Sequence, residues 1–236
     1  MDIITDLSLH TDLSLHITPL LAITCYLLYP KQLRINSTLL YWFSVIHNGC
    51  LVAFSAWTFV SLSQILYTDG IVFQSKYYFQ NPHFDTVTYL FYLSKYYEFF
   101  DTFLLYLNGK TPIFLQKYHH IGAVICWHLT YVYKVDAIWI PSIANSFVHT
   151  IMYSYYLGCL LKINQVRFIK KYITSLHLIQ LFIPNFICLY YYMPPAEITF
   201  NYNIIKIFVG YTSILVILFS HFFYTNYVSC DIKSKI

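Results

Sequence analysis

The sequence predicts an all-α, polytopic membrane protein with about seven transmembrane helices. Three observations carry that reading. The 236 residues are 58% hydrophobic and only 10% charged, where a soluble domain carries roughly 25% charged residues. Mean hydropathy is +0.55. Apolar stretches of roughly 20 residues, the length that crosses a bilayer, recur along the chain. No stretch is polar enough for a separate soluble domain.

Taken in order, residues 1–16 hold a tandem hexapeptide, Thr5–His10 and Thr11–His16. It reads as a duplication in a tolerant terminus, and its histidines are not expected to be ligands. The start lacks the basic n-region of a cleaved signal peptide. Seven apolar spans follow, at about 14–30, 39–64, 87–107, 114–133, 137–161, 173–193 and 203–226. The first is short. The polar turn Asn108-Gly109-Lys110 with Pro112 separates spans three and four and lets them run antiparallel. Tyrosines near several ends (Tyr190, Tyr191, Tyr192, Tyr224, Tyr227) suit an aromatic belt at the membrane surface. The six cysteines, Cys25, Cys50, Cys126, Cys159, Cys188 and Cys230, show neither CxxC nor zinc spacing. No metal site and no disulfide framework are expected.

The basic residues set the orientation. Lys31, Arg34, Lys110, Lys162, Arg167, Lys170, Lys171, Lys233 and Lys235 fall after spans one, three and five and in the C-terminal tail. Lys76 and Lys134 fall on the other side, and Lys95, Lys117 and Lys206 within spans. Positive charge marks the cytosolic face, so the N-terminus is expected outside and the C-terminus in the cytosol. Asn36-Ser37-Thr38 is a glycosylation sequon on the cytosolic side of this topology and should be unused.

The informative stretch is Lys95–His120. Ionisable groups in a membrane are costly and usually functional. Lys95, Glu98 and Asp101 with Thr102 fall on one helical face of span three, and Gln116, His119 and His120 on one face of span four. Span five carries Asn145, His149, Met152, Tyr153 and Tyr156 at helical spacing; span six carries Thr174, His177 and Gln180. These stripes converge in the middle-to-cytosolic zone. Lys110, Arg167, Lys170 and Lys171 flank its mouth. A buried polar site with a cationic entrance suits a ligand with an anionic head and an apolar tail. Isolated histidines such as His47, His128 and His221 read more simply as hydrogen bonds between helices. Lys95 with Glu98 reads either as an ion pair that aligns helices or as part of the site. Lys206 reads either as a snorkelling lysine or as a functional group of span seven.

KYYEFFDT (Lys95–Thr102), GKTPIFLQKYHH (Gly109–His120), NSFVHTIMYSYY (Asn145–Tyr156), Thr174–Gln180 and LFSHFFYTNY (Leu218–Tyr227) resemble, in order, the motifs of the very-long-chain fatty-acid elongase family of ELO type. The likeness covers roughly residues 85–228, and WIP (Trp139–Pro141) with the KTP before the box looks closest to fungal-type members. Two positions depart. Gln116 stands for the first histidine of an HxxHH box, and His177 stands where the family often has glutamine.

The resemblance implies a single transmembrane elongase domain over residues 14–228, spans two to seven enclosing an acyl-chain tunnel. A short lumenal tail (1–13) would precede it and a cytosolic tail (229–236) would follow, in the endoplasmic reticulum membrane. It implies a very-long-chain 3-oxoacyl-CoA synthase, an acyltransferase joining acyl-CoA to malonyl-CoA with release of CO2 and CoA. Both are substrates; no cofactor is implied. By the same resemblance His119 would take the acyl group, and His149, Asn145 and His120 would stabilise the enolate left by decarboxylation. Gln116, Lys95, Glu98, Asp101 and Thr102 would support them. Tyr153, Tyr156, Gln180, Lys110, Arg167, Lys170 and Lys171 would bind substrate, and Lys206 would limit chain length. Membrane lipid, the ketoreductase, dehydratase and enoyl reductase of the elongation cycle, and a second copy of the chain are the partners this implies; nucleic acid is not. Three rival readings remain: a di-iron membrane desaturase, a seven-helix retinal-type receptor with Lys206 as Schiff base, and an elongase-fold scaffold impaired by Gln116.

Overall fold

The computed structural model describes residues 16–29, 35–73, 77–191 and 200–229. The hexapeptide repeat up to Leu15, most of both tails, and Lys31, Arg34, Lys76, Lys233 and Lys235 lie outside them. The described residues form eight α-helices: α1 (Ile17–Leu28), α2 (Ser37–Asp69), α3 (Pro82–Tyr97), α4 (Phe99–Leu107), α5 (Phe114–Val132), α6 (Trp139–Leu160), α7 (Lys170–Tyr191) and α8 (Phe200–Phe223). Short 3-10 turns at Tyr78–Gln80, Asp136–Ile138 and Asn164–Ile169 and a π turn at Tyr224–Val228 complete them. Every expected span has its helix, and the third has two.

Residues at the helix ends explain the boundaries. Asn36 caps α2, its Oδ1 accepting from the Thr38 and Leu39 N–H groups at 2.8 and 3.4 Å. The sequon carboxamide is therefore engaged as a cap. Asn81 caps α3 in the same way at 3.0 Å, with Pro82 at the first helical position. Gly109, at φ 69°, ends α4; Gly109 N–H bonds Tyr106 O and Lys110 N–H bonds Leu105 O, the paired bonds of a Schellman cap. The same bond pair ends α5 at Lys134 and α6 at Lys162, where lysines take φ 50° and 60°.

Span three departs from the continuous helix that the spacing suggests. Glu98 closes α3 and opens α4 through a tightened turn, with Asp101 N–H bonded to Glu98 O. Its backbone stays helical (φ −63°, ψ −15°), so the chain continues without a sharp bend. In α7, Pro184 lacks an N–H and leaves the Gln180 carbonyl without its usual helical donor.

Helix contacts run in a closed ring: α2 to α6, α6 to α7, α7 to α8, α8 to α5, α5 to α3 and α4, and these back to α2. The α2–α6 seam is the most extensive, and α1 packs outside the ring on α5. The core is aromatic, with Tyr78, Phe84, Phe91, Trp127, Trp139 and Phe208 in one cluster. At one end the Asp136 carboxylate accepts from the N–H groups of Tyr77, Tyr78 and Phe79, the last two at 3.2 and 3.4 Å. Burial pushes that carboxyl above its usual range, and the three donors pull it back. Tyr78, wholly buried, donates to Gly70 O at 2.7 Å, so this loop covers the end of the ring.

The chain is a polytopic membrane protein. Ser37–Asp69, Lys170–Tyr191 and Tyr202–Val228 are long and apolar enough to cross a membrane, and Ile17–Leu28 is apolar but shorter. Among the remaining helices, α3, α4, α5 and α6 carry most of the polar stripes, which is why their apolar signal is weaker.

Candidate functional site

The site begins with a chain of four buried side chains. Lys95, in the last turn of α3, lies with Nζ 4.0 Å from the Phe91 ring centre and 5.1 Å from that of Trp127. It donates to Glu98 Oε1 at 2.7 Å and to Asn145 Oδ1 at 2.9 Å. An ammonium only donates, so the Asn145 oxygen faces Lys95. The Asn145 amide then donates to His149 Nε2, 3.0 Å away. That fixes the neutral His149 tautomer: Nε2 accepts and Nδ1 carries the proton. Nδ1 stands 3.6 Å from Glu98 Oε1, beyond a hydrogen bond. Lys95 and Glu98 form an ion pair whose lysine also reaches Asn145 of α6.

The second unit is centred on Asp101 of α4. Its Oδ2 accepts from the Tyr153 hydroxyl at 2.6 Å and its Oδ1 from His47 Nε2 at 2.8 Å. The carboxylate ties α4 to α6 and α2. His47 is fully buried and its Nδ1 has no partner. Beside it, Gln116 donates to Thr102 Oγ1 at 3.2 Å, and Thr102 meets the Tyr26 hydroxyl at 2.9 Å. The departure at 116 therefore orients Thr102. His47, read from the sequence as a hydrogen bond between helices, makes one to Asp101; Tyr26 was missed, because a single polar group in an apolar helix has no period.

The histidines gather next to these units. Ring centres of His119 and His120 are 5.5 Å apart, His119 and His149 6.4 Å, and His149 and His177 6.3 Å. The His119 ring is half-buried and, among the described residues, makes no hydrogen bond. Its backbone is held: Tyr211 of α8 donates to His119 O at 2.8 Å. Gly122 makes room for that ring, since a Cβ there would stand 2.0 Å from Tyr211 Cε2. His177 donates from Nδ1 to Ile173 O at 2.9 Å and stacks on Phe219 at 5.3 Å.

Native proteins leave few buried polar atoms unpaired. Among the described residues such atoms are His47 Nδ1, Glu98 Oε2, His120 Nδ1, His149 Nδ1 and Gln180 Oε1. All lie on residues of this constellation, so the helices converge on a place with unused hydrogen-bonding capacity.

The remaining candidates scatter. Lys110, Lys170 and Lys171 are exposed, the last two near the Tyr227 and Phe223 rings. Arg167 sits on the turn before α7, its side chain outside the described residues. Tyr156 is 43% exposed. Lys206 is exposed with Nζ 4.2 Å from the Tyr202 ring centre, while its neighbours Ile205 and Phe208 face the interior. His128 bonds Tyr92 at 3.0 Å and His16 at 2.9 Å, joining α1, α3 and α5. No group of three or more His, Cys, Asp or Glu side chains among the described residues is arranged to hold a metal ion.

Fold and site together define a polytopic membrane protein with a buried, histidine-centred polar cluster inside a ring of helices. The chain belongs to the ELO (GNS1/SUR4) family, whose profile matches residues 12–235. It is similar to "Fatty acid elongase sre1" of Dictyostelium discoideum, 33% identical over 153 residues (60% of this chain, 53% of that one). It is also similar to "Very long chain fatty acid elongase 4" of Trypanosoma cruzi, 38% identical over 102 residues (42% and 35%). "Very long chain fatty acid elongase 6" of Drosophila melanogaster is 42% identical over 97 residues (41% and 30%). The chain spans about half or less of the length of these relatives. No solved structure matches it significantly.

Proposed function

We propose that this chain condenses a long-chain acyl-CoA with malonyl-CoA, giving 3-ketoacyl-CoA, CO2 and CoA through an acyl group carried on His119. The observation that carries the reading is the His119 ring, half-buried and unbonded beside the His120 and His149 imidazoles, the latter with its tautomer fixed. A neutral imidazole keeps a lone pair and attacks a thioester without prior deprotonation. Loss of CO2 from malonyl-CoA leaves an enolate, which placed donors stabilise. The proton on His149 Nδ1 makes no hydrogen bond, with Glu98 Oε1 3.6 Å away, and is one such donor; His120 supplies another. Asn145 acts by holding the His149 ring through its amide. Lys95, Glu98, Asp101, Thr102 and Gln116 position these groups. Gln180, Tyr153 and Tyr156 line the way in, and the cations Lys110, Arg167, Lys170 and Lys171 meet the CoA phosphates.

In this reading the acyl chain runs in a tunnel within the ring of spans two to seven, toward the end covered by the Tyr78 loop. A small apolar void there, lined by Ile138, Cys188, Ile205 and Phe208, supports that direction. Lys206 would sense chain length only from outside, over Tyr202. The membrane would be that of the endoplasmic reticulum, N-terminus lumenal and C-terminus cytosolic, near the reductases and dehydratase that complete the cycle. A homodimer is part of the proposal.

Purified protein fed a panel of acyl-CoAs with radiolabelled malonyl-CoA should yield labelled 3-ketoacyl-CoA, and His119→Ala should yield none. Product from both would move the nucleophile. No product from the unsubstituted chain with any acyl length would reject the activity.

A further inference from the structure

We infer that Tyr26 of α1 is a positioning residue for the condensation step: its ring supports the His120 imidazole, and its hydroxyl ties the preceding turn of α5 through Thr102 and Gln116. This rests on the reading above, in which His119 carries the acyl group and His120 is a donor to the enolate.

α1 lies outside the ring of helices, and little of it faces inward. Leu20, Leu21, Leu27 and Leu28 are exposed, and of its twelve residues only Pro19 and Tyr26 are buried. Tyr26 is 4% exposed. A helix that merely covered the ring would be served by an apolar side chain there, because a buried hydroxyl is costly without a partner. The partner is Thr102 Oγ1 of α4, 2.9 Å away, which also accepts from the Gln116 amide of α5 at 3.2 Å. One threonine hydroxyl thus joins α1 to α5.

The Tyr26 ring makes a second set of contacts one turn away. It stacks on Phe99, with ring centres 4.3 Å apart, and its centre lies 6.3 Å from that of His120. Phe99 meets His120 at 6.3 Å as well. Phe99 and Thr102 are three residues apart on α4, and Gln116 and His120 four apart on α5, so each pair shares a helical face. Tyr26 therefore reaches across two layers, its ring against Phe99 and His120 and its hydroxyl at the Thr102–Gln116 bond.

His120 depends on such support. His149 is oriented by Asn145 and His177 by Ile173 O, but His120 Nδ1 makes no hydrogen bond. Among the described residues, the aromatic rings that meet His120 are those of His119, Tyr26 and Phe99. His119 takes the acyl group, so Tyr26 and Phe99 form the standing wall. Rings at these separations prefer particular mutual angles, so a displaced Tyr26 ring displaces the imidazole. His119 has its own anchor, since Tyr211 of α8 holds its carbonyl at 2.8 Å.

The test compares two reactions of the purified protein. One is condensation with malonyl-CoA; the other is release of CoA from acyl-CoA alone in a single turnover, which uses His119 and needs no enolate donor. Tyr26→Phe keeps the stack and cuts the tether. It should lower kcat for condensation about tenfold, short of the roughly 10²-fold or more that outright loss of an oxyanion donor costs. KM for malonyl-CoA should stay within about threefold, and CoA release should be unchanged. Tyr26→Leu, which removes the ring as well, should lower condensation further and still leave CoA release. In Thr102→Val, where the tether is already cut, adding Tyr26→Phe should lower kcat no more. Unchanged condensation in Tyr26→Phe, equal slowing of both reactions, or full additivity with Thr102→Val would overturn the proposal and leave Tyr26 as packing for α1. Absence of CoA release from the unsubstituted protein would instead overturn the acyl-His119 reading itself.

Discussion

Lys95 and Glu98 are buried to 2% exposure each, and each is the other's counter-charge. Removing one member of such a pair leaves an uncompensated charge, which costs about 3–5 kcal/mol, whereas apolar replacement of both is often neutral. Lys95→Met should therefore lower the thermal midpoint in detergent more than Lys95→Met with Glu98→Leu. Equal losses would show that an unpaired Glu98 carries no penalty. Asp101→Asn places an NH2 group against one of two donors, Tyr153 or His47, and should cost about 1–3 kcal/mol. Asp101→Glu should not restore the loss, because a longer arm cannot meet both partners; recovery would contradict the bridge. The gathering of these side chains was legible in the sequence, since His119, His120 and His149 fall on helical faces with other polar residues. His47 was legible as a hydrogen bond between helices but its partner was not: Asp101 lies 54 positions away, and no local pattern records that. Nor does any sequence show which end of the Asn145 amide faces His149.

Among the elements, spans and turns followed from apolar length and from Asn108-Gly109, because both are local signals. The tight turn at Glu98 left no mark, as its backbone remains in the helical region. The outward placement of Lys206 depends on which face of α8 meets the ring, a tertiary matter. Two caps rest on lysine in a left-handed conformation, which costs roughly 1 kcal/mol relative to glycine. Lys134 is also engaged by Asp85 and Tyr131, but Lys162 is exposed at a helix end. Lys162→Gly should raise stability by about 0.5–1 kcal/mol, read as a higher thermal midpoint; a drop would mean the side chain contributes more than its strain. Gly122→Ala acts in the opposite sense. Its methyl meets the Tyr211 ring, so α5 and α8 must separate. Stability should fall, and Tyr211→Leu added to it should recover part of the loss.

At the scale of the whole molecule, polar groups occupy the interior of the ring and exposed cations its proposed mouth. If Lys110, Lys170 and Lys171 attract the CoA phosphates, salt should weaken capture without touching chemistry. Raising ionic strength from about 0.05 to about 0.5 M should raise KM for acyl-CoA several-fold at constant kcat. A flat KM would remove these residues from substrate capture. The ring itself was only partly legible: seven spans follow from composition, but the order in which α2, α6, α7, α8 and α5 neighbour one another does not.

The Lys95–Glu98 pair lies within one span, and that bears on how the chain is made. Span three leaves the ribosome before Asn145 and His149 exist, so at that moment Lys95 and Glu98 have no partner from another helix. A lysine and a glutamate one turn apart neutralise each other as the segment partitions into lipid. Biogenesis can then proceed span by span, with the fifth span later joining a pair that is already balanced.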